Sequence, residues 1–172
     1  MSSIVFITGG ARSGKSSFAQ SEALALSQNP VYVATAKVYP NDDEFKQRVN
    51  RHIADRDDRW TSMEEQLFPS KLCLEKRVVV IDCITLWLTN FFSLHKYDVE
   101  KSLESFKNEM ENLRKIDAQF FVITNEIGMG VHAESEIGRK FTDLQGWANQ
   151  YVAGIADRVV LMVSGIAVKV KG

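Results

Sequence analysis

One stretch near the start of the chain, GGARSGKS at Gly9 to Ser16, decides the fold. It satisfies the pattern G-x-x-x-x-G-K-[ST], in which a Gly-rich loop wraps its backbone N–H groups around phosphate oxygens. The loop follows a short apolar run, Ile4–Thr8, and precedes a segment with helical composition, Ser16–Leu26. A strand, a loop and a helix in this order predict a phosphate site at the helix N-terminus.

The residue types in this loop also predict how a nucleotide binds. Lys15 would reach the β- and γ-phosphates, and the Ser16 hydroxyl would bind Mg²⁺. We therefore predict Lys15 to be catalytic and Ser16 to be a metal ligand. The loop residues predicted to contact nucleotide are Gly9, Gly10, Ala11, Arg12, Ser13, Gly14, Lys15 and Ser16.

Short apolar runs alternate with helical patterns along the rest of the chain. The runs are continuous rather than alternating in polarity, which is typical of parallel strands covered by helices on both faces. Apolar residues recur at three- and four-residue steps within 99–116 and 137–155, which predicts two long amphipathic helices. The predicted strands are Ile4–Thr8, Val31–Thr35, Val78–Ile81, Phe120–Thr124, Val159–Val163 and Ile166–Lys171.

These elements predict a single α/β domain over residues 1–172, of the P-loop NTPase type. Strand–helix alternation favours a three-layer fold with a mostly parallel sheet and helices on both faces. The dipeptide Ser164-Gly165 separates the last two β-rich runs. A Gly-containing turn between such runs predicts a C-terminal β-hairpin.

A carboxylate follows one of the apolar runs, because Val78–Ile81 leads directly into Asp82. In proteins with a phosphate-binding loop, an acid at the end of a neighbouring strand holds Mg²⁺ directly or through water. We therefore predict Asp82 as a second metal ligand. The alternative is that Asp82 caps the helix that follows it.

Composition limits the classes of partner. The chain has 172 residues, is 45% hydrophobic and has a formal net charge of -1, so it has no basic footprint for nucleic acid. No apolar run approaches the length needed to cross a bilayer. Cys73 and Cys83 lack metal-ligand spacing and are expected to be reduced thiols. Together these features predict a cytoplasmic enzyme that acts on small molecules.

The stretch DEFKQRVNRHIADRDDRW, residues 43–60, contains a candidate for covalent chemistry. Arg48, His52 and Arg56 are spaced i, i+4, i+8 and would share one helix face. Two neighbouring cations would keep the imidazole neutral and nucleophilic, and the guanidinium groups could bind phosphate. The alternative is a solvated, charged face of a surface helix.

The phosphate-binding loop alone does not name the reaction. A regulatory GTPase would carry D-x-x-G and N-K-x-D motifs, but here Asp82 is followed by Cys-Ile-Thr and a later strand ends in Thr-Asn-Glu-Ile. Motor-type ATPases are generally larger and carry further domains. The sequence therefore favours a kinase or a nucleotidyltransferase.

Further motifs occur in a fixed order. They are YVATA at 32–36, R-V-x-x-H-x-x-x-R-x-x-x-W at 48–60, IDCITLWLTN at 81–90, TNEIGMG at 124–130, GRKFTDLQGWANQ at 138–150 and VSGIAVKVK at 163–171. Together with the loop, this series resembles the bifunctional cobalamin-biosynthesis family of adenosylcobinamide kinase / adenosylcobinamide-phosphate guanylyltransferase. The resemblance spans nearly the whole chain.

The resemblance implies two reactions. Adenosylcobinamide is phosphorylated with ATP or GTP, and GMP is then transferred from GTP to that phosphate with release of pyrophosphate. The second reaction passes through a GMP-histidine intermediate, and the family's nucleophile matches His52. The family is also associated with a homo-trimer. The alternative is a small-metabolite kinase of the same fold without a covalent nucleotidyl step.

The resemblance also implies further nucleotide-binding residues. These are Thr35, Ala36 and Lys37 after the second strand, Arg56, Glu64, and Asp82 as the strand-end acid. The alternatives are tight packing at a strand end for Thr35 and Ala36, and a solvated carboxylate on a surface helix for Glu64. Asn125 and Glu126 end another predicted strand, where Glu126 is expected either to orient or deprotonate the acceptor hydroxyl or to make a buried hydrogen bond.

Overall fold

The computed structural model describes residues 2–37, 47 and 56–172. The strands are β1 Ser3–Gly9, β2 Val31–Ala34, β3 Thr61–Glu64, β4 Val78–Asp82, β5 Gln119–Ile123, β6 Arg158–Val163 and β7 Ile166–Lys171. The α-helices are α1 Lys15–Leu26, α2 Ile84–Leu94, α3 Val99–Arg114 and α4 Glu136–Ile155, and a 3-10 helix covers Pro69–Lys71. Among the helices of these residues, none is both long enough and apolar enough to cross a membrane.

The strands form one seven-stranded sheet in the order β3-β2-β4-β5-β1-β6-β7. Every neighbouring pair is parallel except β6 and β7, which form the C-terminal antiparallel hairpin. This confirms the predicted mostly parallel sheet and its terminal hairpin. β1 lies between β5 and β6, and both pairings are parallel. The loop that follows β1 therefore lies at the carboxyl ends of the parallel strands, between the ends of two neighbouring strands.

Helices cover both faces of the sheet, as predicted. On one face, Ala19 and Ala23 of α1 belong to a buried cluster with Val80 and Phe121. On the other face, α2, α3 and α4 supply large side chains to a second cluster, among them Trp87, Phe106 and Leu144. Continuous apolar runs were needed in the central strands because these two clusters remove both of their faces from water.

Two elements differ from the sequence-based expectation. α2 was not predicted, although Ile84, Trp87, Leu88, Phe91 and Phe92 recur at helical spacing and are all buried. β3 was not predicted either. It is a short edge strand in which half-buried and exposed side chains alternate, so it carries no continuous apolar run.

Candidate active site

The phosphate-binding loop closes around its own lysine. Gly14 adopts the left-handed conformation, with φ 92°, at the N-cap of α1. Lys15 follows it and is only 7% exposed. Its ammonium donates a hydrogen bond of 2.5 Å to the carbonyl of Gly10 and lies 3.4 Å from Ser13 Oγ. A buried ammonium held this way at a helix N-terminus is suited to bind the oxygens of a phosphate.

The hairpin between β6 and β7 lies against this loop. Gly165 N donates a hydrogen bond of 3.0 Å to Ser13 O. The backbones approach so closely that a Cβ on Gly14 would lie 3.2 Å from Gly165 Cα. Ser164 and Gly165 both have positive φ, at 51° and 83°, as a tight two-residue hairpin turn requires. The loop is therefore backed by a turn more than 140 residues away in the chain.

Gly165→Val is expected to lower the free energy of unfolding by about 1–3 kcal/mol, because a β-branched side chain is strained at positive φ. It is also expected to weaken nucleotide binding, since the turn would no longer hold Ser13 O in place. Urea unfolding and calorimetric titration with nucleotide measure the two effects. Gly165→Asn is the control, because asparagine tolerates the left-handed region. Equal stability of the Val and Asn variants would contradict this account of the turn.

Three elements meet at Asp82. Its Oδ2 accepts hydrogen bonds from Ser16 Oγ of α1 at 3.1 Å and from the Tyr32 hydroxyl of β2 at 2.5 Å. Burial, and then the adjacent Asp82 carboxylate, raise the pKa of Tyr32 well above its ordinary value. The phenol therefore stays protonated and is the donor in this hydrogen bond. The alternative role for Asp82 is not supported, because α2 has Cys83 at its N-cap without a side-chain capping bond.

The Ser16 and Asp82 oxygens fit a magnesium ion. Mg²⁺ usually takes one or two protein oxygens and completes its shell with water and substrate phosphates. A hydroxyl and a carboxylate 3.1 Å apart beside a phosphate loop supply such a pair. In the described part of the chain, no cluster of three or more His, Cys, Asp or Glu side chains competes with it as a metal site.

Thr35 joins the ends of β2 and β4. It is fully buried, its N–H donates to Asp82 O, and its hydroxyl donates to Cys83 O at 2.9 Å. Asn90 of α2, which the sequence analysis did not single out, donates from Nδ2 to Thr35 O at 2.7 Å. Ala36 is partly buried and Lys37 is exposed. The Thr35 side chain thus has a structural contact, as the packing alternative for it anticipated.

The two cysteines have different surroundings, since Cys73 is exposed and Cys83 is buried. Burial, and then the Asp82 carboxylate, raise the pKa of Cys83 to about 12.

We expect an aromatic disulfide reagent at pH 8 to label one thiol per native chain and two per chain in denaturant. In the folded Cys73→Ser variant, the reagent is expected to label no thiol. Rapid labelling of that variant without denaturant would show that Cys83 is accessible.

Of Arg48, His52 and Arg56, only Arg56 belongs to the residues that the structure describes. Its Cζ lies 3.9 Å from the centroid of the Tyr32 ring. Trp60 packs against the same ring in a T-shaped arrangement, with the two ring centroids 6.0 Å apart. Arg56 Nε and Nη1 are buried and have no hydrogen-bond partner among the described residues. Arg48 and His52 lie outside the described residues, as does most of the predicted helix in 43–60. Residues 56–60 are described and are not helical, so the prediction that the helix extends to Arg56 is wrong.

Glu64 is exposed at the carboxyl end of β3, where it pairs in register with Ala34 of β2. The alternative, a solvated carboxylate on a surface helix, is right about the exposure of Glu64 and wrong about the helix, because the residue belongs to the outermost strand of the sheet. Its position at the same sheet edge as Asp82 follows from the parallel register, in which Ala34 also pairs with Asp82. The predicted role of Glu64 in nucleotide binding stays a prediction.

Asn125 and Glu126, which follow β5, contact the start of α2 and the start of the phosphate-binding loop. Asn125 N donates to Thr85 Oγ1 at 3.2 Å, and Glu126 N donates to Gly9 O at 3.0 Å. One carboxylate oxygen of Glu126 accepts a hydrogen bond of 2.9 Å from Gly128 N. Glu126 is partly buried, and it is its backbone N–H that contacts the loop.

Tyr32 is the functional candidate that sequence reasoning missed. The available signal was a hydroxyl-bearing aromatic residue within an apolar strand, because a buried phenol needs a hydrogen-bond partner. Tyr32 pairs in register with Val80, two residues before Asp82, so its side chain and the carboxylate lie on one face of the sheet. The partner could not be read from sequence because it depends on the pairing of β2 with β4.

Comparisons with known proteins agree over nearly the whole chain. The family model for cobinamide kinase / cobinamide phosphate guanyltransferase matches residues 5–170. The bifunctional adenosylcobalamin biosynthesis protein CobU of Escherichia coli (strain K12) is 32% identical over 183 residues, covering 98% of this chain and 99% of that protein. The corresponding CobP protein of Pseudomonas aeruginosa is 33% identical over 171 residues and covers 96% of each chain.

Solved structures with similar folds are much more distant in sequence. A structure of the Pyrococcus horikoshii OT3 project PH0250 aligns with a TM-score of 0.54 at 8% identity, covering 99% of this chain and 86% of that chain. An ATPase from the type III secretion system of pathogenic bacteria aligns with a TM-score of 0.54 at 11% identity, covering 97% and 56%. At these identities the likeness concerns the fold alone.

Proposed function

The chain belongs to the cobinamide kinase / cobinamide phosphate guanyltransferase family, and we propose that it carries out both reactions of that name on adenosylcobinamide. In the first, the terminal hydroxyl of the substrate's aminopropanol arm takes the γ-phosphoryl group of ATP or GTP. In the second, GMP from GTP is joined to the new phosphate and pyrophosphate leaves. The product is adenosylcobinamide-GDP.

The observation that carries the proposal is the convergence of Lys15 with the Ser16–Asp82 pair at the start of α1, in a chain that matches the family over residues 5–170. Phosphoryl transfer needs charge stabilisation and positioning more than covalent chemistry from the protein. Lys15 would bind the β- and γ-phosphate oxygens, and the loop N–H groups would hold the rest of the phosphate chain. Ser16 and Asp82 would hold Mg²⁺, which neutralises phosphate charge when bound.

For the second reaction we propose His52 as the nucleophile. Its imidazole nitrogen would form a P–N bond with the α-phosphorus as the bond to the pyrophosphate oxygen breaks. An oxygen of the acceptor phosphate would then form a new P–O bond as the P–N bond breaks, restoring the imidazole. Support comes from Arg56, four residues on, whose buried and unpartnered N–H groups suit a phosphate oxygen.

Glu126 is proposed to orient or deprotonate the acceptor hydroxyl. The support is the hydrogen bond from the backbone N–H of Glu126 to Gly9 O, which joins Glu126 to the first glycine of the loop. Thr35, Ala36, Lys37 and Glu64 remain proposed nucleotide contacts at the same sheet edge. The homo-trimer, the cytoplasmic location and the lack of nucleic-acid partners are also predictions, and the mass of the native assembly in solution would test the first.

The test is incubation of the wild-type chain with adenosylcobinamide, Mg²⁺ and GTP, followed by mass analysis. The expected products are adenosylcobinamide-GDP and pyrophosphate, whereas ATP alone should stop at the phosphate ester. Formation of the ester without guanylyl transfer under either condition would favour the kinase without a covalent step. Nucleotide binding with turnover of neither substrate would contradict both.

A further inference from the structure

We propose that Tyr32 is a positioning residue for both reactions, because its hydroxyl fixes the metal carboxylate while its ring supports the guanidinium of Arg56. The inference rests on the proposed function and deepens it. It assigns to one side chain the link between the phosphate loop and the segment that follows His52.

The hydroxyl orients Asp82 through a shared oxygen. Tyr32 and Ser16 both donate to Oδ2, at 2.5 and 3.1 Å. Two donors on one carboxylate oxygen fix the plane of the group, and Oδ1 accepts no hydrogen bond from any described residue. Partners of this kind orient a metal ligand from outside the coordination shell, and their loss typically weakens metal affinity by about 10- to 100-fold.

The ring supports Arg56 from below. The guanidinium carbon lies 3.9 Å from the ring centroid, a cation–π distance, and Trp60 makes a T-shaped contact with the same ring. Two N–H-bearing nitrogens of Arg56 are buried without a partner in the described part of the chain. Burying such groups is costly unless an acceptor arrives, so the stacked guanidinium is prepared for an anion. A nucleotide phosphate is an anion of the kind that a guanidinium binds through several N–H groups.

The Tyr32 hydroxyl contacts Asp82 and the Tyr32 ring contacts Arg56, so substitutions can remove one contact without the other. Tyr32→Phe removes the hydroxyl and keeps the ring under Arg56. Tyr32→Leu removes both. The matched control is Tyr151→Phe, because Tyr151 also donates its hydroxyl to a carboxylate, that of Glu111, away from the loop.

The probe is the α,β-methylene analogue of GTP, in which a P–C bond replaces the linkage that His52 would break. It is titrated calorimetrically without adenosylcobinamide, over a range of Mg²⁺ concentrations and in EDTA. Tyr32→Phe is expected to raise the Mg²⁺ concentration for half-maximal binding about tenfold and to leave binding in EDTA within about twofold. Tyr32→Leu is expected to weaken binding in EDTA as well. Tyr151→Phe is expected to change neither value by more than about twofold. An unchanged Mg²⁺ requirement in Tyr32→Phe would overturn the inference.

A second comparison tests whether Tyr32 acts through Asp82, and it does not depend on the absolute stability of the single variant. In an Asp82→Ala background, which removes both side-chain oxygens, adding Tyr32→Phe is expected to leave the Mg²⁺ requirement unchanged. A full additional loss would assign Tyr32 a general packing role and refute the proposal.

The product assay on the wild-type chain separates this inference from the proposed function. Formation of adenosylcobinamide-GDP without a Tyr32 effect on Mg²⁺ refutes the inference alone. A Tyr32 effect on analogue binding without formation of that product refutes the proposed function alone.

Discussion

Replacing Lys15 with methionine is expected to lower the kcat of phosphoryl transfer to adenosylcobinamide by about 100- to 1,000-fold, the usual loss when one preorganised charge-stabilising donor is removed. Lys15 is 7% exposed, and its ammonium is already held inside the loop by Gly10 O. It therefore needs little reorganisation to meet the developing charge on a transferred phosphoryl group. Transfer from ATP labelled at the γ-phosphate, under saturating substrates, measures the effect.

Methionine is preferred to alanine because it keeps the apolar stem and removes only the charge, which separates catalysis from folding. Lys101→Met is the control, since Lys101 is an exposed lysine on α3 paired with Asp98 at 3.0 Å. We expect that control to retain wild-type kcat. A Lys15→Met enzyme with unchanged kcat and a raised KM would mean that the ammonium binds ground state and transition state equally.

Replacing His52 with alanine is expected to abolish guanylyl transfer, by at least about 1,000-fold, because a covalent mechanism without its nucleophile has only residual routes. The acid-labile label left on the protein by GTP labelled at the α-phosphate should disappear with it. Phosphorylation of adenosylcobinamide should continue, since Lys15, Ser16 and Asp82 are untouched. Gel autoradiography and product analysis by mass measure the two outcomes separately.

His132→Ala is the matched control, because His132 is exposed and has no proposed role. It should keep both the label and the second product. A His52→Ala enzyme that still forms adenosylcobinamide-GDP would show that another group attacks the α-phosphorus. The contrast between variants is itself informative, because loss of Lys15 should impair phosphorylation while loss of His52 should spare it.

Local patterns in the sequence predicted most of the fold. The loop at Gly9 to Ser16, the continuous apolar strands and the Ser164-Gly165 turn each have a short-range physical cause, and the structure has all of them. The helix at Ile84–Leu94 also has a short-range pattern, because its buried residues recur at helical spacing, but it follows the buried strand Val78–Asp82 almost directly. The strand at Thr61–Glu64 was not readable, because a short polar edge strand buries too little surface to leave a pattern.

The site was predicted less completely, because its contacts join residues far apart in the chain. Ser16 and Asp82 could be anticipated from motif chemistry, and the structure sets them 3.1 Å apart. The contact between Tyr32 and Asp82 depends on the order of strands in the sheet, which strand–helix alternation does not specify. The bond from Gly165 to Ser13 depends on both the sheet order and the hairpin.

The position of β1 inside the sheet has a consequence for synthesis on the ribosome. Its neighbours are β5 and β6, which begin at Gln119 and Arg158, and the turn that backs the loop comes later still. Chains grow from the N-terminus, so the loop that carries Lys15 is made long before the two strands that flank β1 and before the turn that contacts the loop. The phosphate-binding loop is therefore among the first segments to be translated, but its surroundings are completed only when the last hairpin is made. A chain that ends at a stop codon before Gly165 would carry the loop without the turn that contacts it.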